Sequence, residues 1–357
     1  MRRSISPLQA ASAAGLVLAA ACYGRSGADQ EPPRASARLN LTVTEGTPGR
    51  PVPARVYLLK DGKPFRLSPV DVLLPLKVDL HYRERLWRRP PEFPTPDGRP
   101  ARTLEVTHEG ESHFVLLDGE GRYELPAGRY RVEAYRGLSW VPAAQDFELK
   151  AGQDAEVSLA LRPLPSEVAK GWVSGDDHIH LTRAAEDDPV FLAWLRAEDL
   201  SVGNFLQLQR QADAAVQYGF GRAAEARSPG YSVRSGEESR SEFYGHINLL
   251  GPERIVRPLS VGSMYANSPP AYPYPARIFS EGRSLGAVVG YAHFDGSMTH
   301  STLPLDLALG NIDFVEVFQF GLLKTDRWYE LLNAGFRVTG IAGSDFPANL
   351  SKFKPWP

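Results

Sequence analysis

Two of the chain's eight histidines stand one residue apart in the stretch SGDDHIHL, directly after two aspartates. Residues two apart in a β-strand point to the same side, so Asp176, His178 and His180 are expected to project together. Paired neutral imidazoles are typical ligands of a divalent transition metal, and a nearby carboxylate can fix the ring tautomer or join the coordination sphere. The stretch therefore predicts a metal site, with Asp176 as a candidate catalytic carboxylate.

Further oxygen and nitrogen donors are associated with apolar, strand-like segments later in the chain. His293 follows GAVVGYA, Glu316 lies within FVEVF, and Asp345 follows VTGIAGS. Barrels and open α/β sheets place their active sites at the C-terminal edge of parallel strands, so His293 and Asp345 are expected at that edge. Glu238 and His246, in GEESRSEFYGHINLLG, complete the set of donors.

Each of these donors also has a structural interpretation. His293 could be a core histidine bonded to backbone, and Glu238 could belong to a charged surface cluster. His246 could cap a loop, and Asp345 could form an Asx turn. Glu316 is expected to face the interior, either behind the ligands or in catalysis. Arg240 and His300 are candidates for contact with a substrate.

The first half of the chain carries the pattern of half-buried strands. Apolar residues alternate with polar ones from Leu39 to Leu161, and Gly-containing turns such as Asp61-Gly62 separate the segments. Short strands at regular spacing predict an all-β sandwich over residues 37–163. Proline is rare inside strands, so Arg88–Pro100 is predicted to be an exposed loop.

The second half has a different texture. Asp188-Pro189 predicts the start of a helix, and a second helix is predicted from Thr325 to Gly335. Strands are predicted at Ser201–Leu206, Ala287–Tyr291, Phe314–Phe318 and Val338–Ala342. Alternation of strands and helices favours parallel βα units, which predicts an α/β domain over residues 164–357.

The N-terminal residues predict export. An apolar segment, Leu8–Ala21, follows two arginines and ends at the only cysteine, Cys22. The segment is too short for a bilayer core of about 30 Å, which indicates a signal sequence. Its ending, LAAAC, resembles a lipobox and predicts a signal peptide over residues 1–22 with lipidation of Cys22. A flexible tether is predicted over residues 23–36. The protein is therefore expected to be an envelope lipoprotein that is held to the membrane by its lipid alone. Ordinary signal cleavage is the alternative.

The bulk composition excludes several functions. Lys plus Arg is 40 against Asp plus Glu 42, with no dense basic run, so a nucleic-acid partner is not expected. The only cysteine lies in the signal region, so a catalytic cysteine nucleophile lacks support.

Five segments in order resemble the CehA/McbA-type metallohydrolases of the PHP (polymerase and histidinol phosphatase) superfamily: GDDHIHL, GEESRSEFYGHINLLG, GYAHFDG, ALGNIDFVEVFQFG and GIAGSDFPA. The resemblance covers about residues 171–354. It implies a distorted (β/α)7 TIM-like barrel, after the sandwich, that holds a cluster of two or three metals. We expect these to be divalent Zn, Mn or Fe. The segment GEGRYELPAGRYRVEAYRG resembles carboxypeptidase regulatory-like or transthyretin-like sandwiches, which generally do no chemistry themselves.

The resemblance also assigns the ligands. It implies metal binding by His178, His180, Glu238, His246, His293 and Asp345, with Glu238 as the bridging carboxylate and Asp187 as a weaker match. Where relatives carry Thr-Asp-His and Asp-x-His, this chain reads GNFLQLQ and SDFP, so one or two ions are expected. The chain ends twelve residues after Asp345, where relatives continue, so a final strand or helix is expected to be absent.

These observations predict an exported, metal-dependent hydrolase. A metal-activated water would cleave an ester, an amide or carbamate, or a phosphoester bond of a small-molecule substrate. The alternative is a non-catalytic envelope binding lipoprotein with a degenerate barrel. The sequence leaves the bond type and the oligomeric state open.

Overall fold

The computed structural model describes residues 36–46, 48–65, 73–76, 103–108, 111–165, 173–209, 215–241, 244–256, 274–294, 302–319 and 322–346. The expected signal peptide with Cys22, the tether up to residue 35, the Pro-rich segment Arg88–Pro100 and His300 lie outside the described residues. Within the described part the fold is mostly β, with few helices.

The first half consists of strands. They are β1 Ser36–Glu45, β2 Arg50–Pro51, β3 Ala54–Lys60, β4 Lys63–Pro64, β5 Leu73–Leu76, β6 Thr103–His108, β7 Glu111–Leu116, β8 Glu120–Pro126, β9 Gly128–Tyr135, β10 Trp140–Val141, β11 Ala143–Leu149 and β12 Asp154–Pro163. Burial alternates along β1, with Leu39, Leu41 and Val43 inside, which confirms the period-two prediction. The hairpin β6–β7 was not predicted from the sequence.

Two sheets form this half. The order is β10-β12-β1-β2 in one, with β8 beside β1, and β11-β9-β3-β7-β6-β5 in the other, with β4 beside β3. Side chains of both sheets share one apolar core, as a sandwich requires. The predicted turn Asp61-Gly62 has φ of 51° and 78°. Both values are left-handed, which matches the twist of the short hairpin β3–β4.

The second half mixes strands with short helices. The elements are β13 Gly175–Ile179, α1 Asp188–Ala197, β14 Val202–Gln209, β15 Ala226–Ser228, β16 Tyr231–Ser239, β17 Ile247–Leu250, α2 Pro275–Ser284, β18 Val288–Tyr291, α3 Leu303–Ala308, β19 Phe314–Gln319, β20 Leu322–Leu323, α4 Asp326–Asn333 and β21 Thr339–Ala342. The strands and helices predicted from the sequence in this half are all present within a few residues. None of the described helices is long and apolar enough to cross a bilayer.

The strands of the second half form one nine-stranded, nearly closed sheet. Its main order is β13-β14-β16-β17-β18-β19, and β21 pairs with β19. A parallel bridge from Ile179 to Phe346 brings the two ends of the ring together, and the His180 N–H donates to the Phe346 carbonyl. The arrangement is barrel-like.

The prediction of parallel βα units is wrong at three strands, because β15, β17 and β20 pair antiparallel with their neighbours. β17 runs antiparallel to both of its neighbours, β16 and β18. The connection from β16 to β17 spans only residues 240–246, which is too short for the crossover that a parallel partner needs. The ladders β13–β14, β14–β16, β18–β19 and β19–β21 are parallel.

Candidate metal centre

The predicted ligands converge at one edge of the barrel-like sheet. His178 lies at the end of β13, Glu238 lies near the end of β16, and His293 and Asp345 lie just past β18 and β21. Because β17 is antiparallel, its first residues lie at this same edge, and His246 directly precedes it. The reversal of β17 therefore delivers His246 to the ends of the parallel strands.

Three donor groups surround the Nε2 atom of His178. His180 Nε2 lies 3.0 Å from it, and one oxygen each of Glu238 and Asp345 lies 3.6 Å from it. His180 Nε2 is 3.1 Å from Glu238 Oε2 and 3.2 Å from Asp345 Oδ1. The two imidazoles project together, as the period-two argument predicts.

The second oxygen of Glu238 faces two more histidines. Glu238 Oε1 accepts a hydrogen bond from His246 Nδ1 at 2.8 Å and lies 3.4 Å from His293 Nε2. The carboxylate thus stands between two groups of imidazoles. Glu238 is fully buried, so its interpretation as part of a charged surface cluster is wrong.

These donors fit a metal ion. Three sets, His178–His180–Glu238, His178–His293–Glu316 and Glu238–His246–His293, each have their ligand atoms within 4.8 Å of one another. Two ligands each about 2.1 Å from one ion lie roughly 3.0–3.5 Å apart, which matches the separations around His180. The Nε2 atom of His246 is buried without a hydrogen-bond partner among the described residues, as a ligand lone pair would be.

Charge within the cluster favours the ionised forms of Glu238 and Asp345. Burial alone would raise the pKa of Glu238, but Arg240, His246 and His178 outweigh it and hold that pKa well below the ordinary value. Burial likewise opposes ionisation of Asp345, yet His178 and His180 lower its pKa. Burial lowers the pKa of His246 to about 4, so this ring is neutral near pH 7 and its lone pair is available.

Two of the donors stand on strained backbone. His293 and Asp345 both have φ of 52°, in the left-handed region that non-glycine residues seldom adopt. Such conformations cost about 1–3 kcal/mol each and persist where the surrounding structure enforces them. Here they turn the chain sharply after β18 and β21, so that both side chains enter the cluster.

Neighbouring polar groups lie against the two imidazoles of the pair. His180 Nδ1 donates to the Leu206 carbonyl at 2.9 Å, which leaves Nε2 as the acceptor that faces the cluster. Asn248 Nδ2 and Gln319 Nε2 lie 3.3 and 3.4 Å from His178 Nδ1. Sequence reasoning missed Asn248 and Gln319. Asn248 stands two residues after His246, so the period-two argument could have found it.

The candidate catalytic residues have distinct surroundings. Asp176 Oδ1 accepts hydrogen bonds from the backbone N–H groups of His178 and Ser344 and thereby ties β13 to the loop after β21. Arg240 Nε donates to Glu238 Oε2 at 2.5 Å, and Arg240 Nη2 lies 3.4 Å from His180 Nε2. Glu316 lies behind His178, on the Nδ1 side of the ring.

Asp187, the weaker ligand match, is fully buried and accepts a hydrogen bond from the Ala184 N–H at 2.9 Å. That contact holds the turn before α1. None of the three donor sets that could hold an ion among the described residues includes Asp187.

Comparison with known proteins adds little. No family model matches the chain, and no curated protein matches it significantly. One similar solved structure is the crystal structure of GBS52, the minor pilin in the gram-positive pathogen Streptococcus agalactiae, at 13% identity and a TM-score of 0.23. The match covers 37% of this chain and 46% of the pilin chain. A likeness at that TM-score carries no argument about fold or function.

Proposed function

We propose that the protein is a metal-dependent hydrolase of the PHP type that cleaves an ester, an amide or carbamate, or a phosphoester. The observation that carries the proposal is the buried set of imidazoles and carboxylates from five separate strands or strand ends, centred on Glu238. Buried ionisable groups are costly unless they are paired or bind a metal, so such a concentration points to a functional site.

The donors divide into two halves that share Glu238. One half would hold an ion with His178, His180, Asp345 and one oxygen of Glu238, and the other with His246, His293 and the second oxygen. Mixed nitrogen and oxygen donors suit Zn, Mn or Fe. When bound, such ions supply Lewis-acid activation of water and of the attacked carbonyl or phosphoryl oxygen.

The chain's own residues contribute charge and orientation. Arg240 is 7% exposed and places a permanent positive charge beside Glu238 and His180. In the proposed reaction this guanidinium donates hydrogen bonds to a substrate oxygen that gains negative charge in the transition state. Asp176 acts indirectly, because its Oδ1 accepts from the backbone N–H groups of His178 and of Ser344, the residue before the ligand Asp345.

The test combines elemental analysis of the purified protein with a screen of p-nitrophenyl phosphates and p-nitrophenyl carboxylic esters. We expect one or two equivalents of transition metal and a loss of at least about 100-fold in activity for His178→Ala and His180→Ala. The matched control is His113→Ala, because His113 lies in the sandwich beside Tyr57 and belongs to none of the donor sets. If the double variant His178→Ala/His180→Ala is free of metal and still active, the proposal is overturned. Metal-free, inactive wild type would favour a non-catalytic binding protein.

We further propose that the protein is exported and lipidated at Cys22. The support is the apolar segment and the LAAAC sequence that ends it. Labelled palmitate should be incorporated into the wild-type protein in a bacterial host and should be absent from Cys22→Ala. Equal labelling of both would contradict the assignment.

A further inference from the structure

One carboxylate behind the cluster contacts two of the proposed ligands at once. Glu316 Oε1 accepts a hydrogen bond from His178 Nδ1 at 3.1 Å. Glu316 Oε2 accepts one from the backbone N–H of His293 at 2.7 Å. Glu316 is 1% exposed, so neither contact is shared with bulk water.

The contact with His178 determines which ring nitrogen faces the cluster. His178 Nε2 points at His180, Glu238 and Asp345, while Nδ1 points away from them at Glu316. A carboxylate can only accept, so it requires a proton on Nδ1 and leaves Nε2 for an ion. Partners of this kind orient ligand imidazoles and increase their basicity.

The contact with His293 acts on backbone rather than on a side chain. His293, whose backbone N–H donates to Glu316, has φ of 52°. Without an acceptor this N–H would be buried and unsatisfied, which would add to the cost of the left-handed conformation. The hydrogen bond therefore stabilises the turn that carries the imidazole of His293 into the cluster.

We infer that Glu316 is a positioning residue, not a metal ligand, and that it sets the geometry of both halves of the cluster through His178 and His293. The inference rests on the proposed metal function. The atoms of His178, His293 and Glu316 are close enough to form a ligand set by themselves. His178 Nε2, however, faces away from Glu316, towards His180, Glu238 and Asp345.

The packing around Glu316 supports this role independently. A Cβ atom at Gly343 would overlap Glu316 Oε1 and would lie 2.5 Å from Asp177 Oδ1. Gly343 is not in the left-handed region, so the glycine is required by space and not by backbone conformation. Only a residue without a side chain lets the carboxylate of Glu316 reach His178.

The main test is Glu316→Gln. Glutamine keeps the shape but has one acceptor oxygen, so it cannot accept from both His178 and His293 and presents an amide donor to one of them. The matched control is Asp306→Asn. Asp306 is also 1% exposed and accepts two side-chain hydrogen bonds, from Tyr291 and Asn311, away from the cluster. The full-length protein is loaded with Zn²⁺, and affinity is measured by chelator competition and stoichiometry by elemental analysis.

We expect Glu316→Gln to weaken Zn²⁺ binding by about 10- to 100-fold at unchanged saturating stoichiometry. Asp306→Asn should lower the melting temperature and leave the affinity unchanged. Gly343→Ala should also lose affinity with Glu316 intact, because the new Cβ displaces the Glu316 carboxylate and crowds the Cβ of His178, 2.6 Å away. Loss of one ion at saturation would instead make Glu316 a ligand, and equal weakening in Asp306→Asn would show general destabilisation. Either result overturns the inference.

A second readout does not depend on metal. In ¹⁵N-histidine-labelled protein, the Nδ1 proton of His178 should give a slowly exchanging ring signal, assigned by its absence from a His178 variant. The signal should be lost or shifted in Glu316→Gln and kept in Asp306→Asn. If the wild type binds no metal, the proposed function fails and this signal alone decides the role of Glu316. An unchanged signal in Glu316→Gln would refute it.

Discussion

The Nε2 atoms of His178 and His180 face each other at 3.0 Å. His180 already donates its Nδ1 proton to the Leu206 carbonyl, so its Nε2 is an acceptor. Burial opposes protonation of His178, but Glu316, Asp345 and Glu238 outweigh it and raise the pKa of this ring well above the ordinary value. The metal-free pair is therefore held together by a proton, and a cation bound between the rings would replace that proton.

Metal binding should release protons near pH 7. Because the pKa of His178 is raised, the ring is protonated at neutral pH, and its Nε2 proton must leave before an ion binds. Affinity should therefore rise with pH and fall as the pH is lowered, by up to about tenfold per pH unit for each proton displaced. Calorimetric titrations with Zn²⁺ in buffers of different ionisation enthalpy measure the released protons. Zero release at pH 7 would contradict the shared proton.

The two halves of the cluster should be separable by mutation. Glu238 is the only ligand whose oxygens face both halves, at 3.1 Å from His180 and 2.8 Å from His246. His246→Ala should therefore lose one equivalent of metal and keep the ion at the His178–His180 half. Glu238→Gln should weaken both. Elemental analysis after dialysis measures the metal that each variant retains. Loss of all metal in His246→Ala would show that the two halves form a single site.

Local patterns predicted the donors, and long-range contacts escaped prediction. The spacing of His178 and His180 follows from strand geometry, and an apolar strand before His293 is visible in the sequence. The double contact of Glu316 is not, because it joins segments whose approach depends on closure of the whole sheet. Sequence distance carries no signal for such a contact.

The direction of β17 was also beyond sequence reasoning. Ile247–Leu250 is a short apolar segment, and a run of that length reads equally well as a parallel or an antiparallel strand. The deciding fact was the short connection from β16. The (β/α)7 arrangement therefore stays a prediction from resemblance, while a mostly β, nearly closed sheet is what these residues form.

A buried arginine close to the cluster should dominate stability. Arg183 has a fully buried side chain, donates to Asp188 at 2.6 Å and to Ser235 at 3.0 Å, and lies over the ring of Tyr218. Arg183→Met would leave the Asp188 carboxylate buried without its positively charged partner and with only the Tyr218 hydroxyl as a side-chain donor, which costs about 3–5 kcal/mol. Urea denaturation checks this expectation. The control is Arg131→Met, whose ion pairs are exposed and should leave the midpoint unchanged.

Stability should fall in acid because of a histidine in the sandwich. Burial and then the charge of Arg55 lower the pKa of His113 to about 3. The unfolded chain takes up this proton near pH 6.5 and the folded chain does not, so stability is complete above about pH 6.5 and declines as the pH falls towards 3. Between these pH values the free energy of unfolding should fall by up to about 1.4 kcal/mol for each pH unit. His113→Gln should flatten this part of the pH profile, and an unchanged slope would assign it to other groups.

The sandwich and the barrel-like sheet should unfold together. Leu104 and Val115 of the sandwich share a core with Phe191 and Phe205, and Trp140 Nε1 donates to Asp199, just after α1, at 3.1 Å. Because the core is shared, unfolding of one half alone would expose apolar surface of the other half. Urea should therefore produce a single unfolding transition, seen by both tryptophan fluorescence and far-ultraviolet circular dichroism. Trp140→Phe keeps an aromatic side chain but removes one hydrogen bond, which should cost about 1 kcal/mol in that single transition. Two separated transitions in the wild type would show instead that the halves fold independently and that the shared core contributes little.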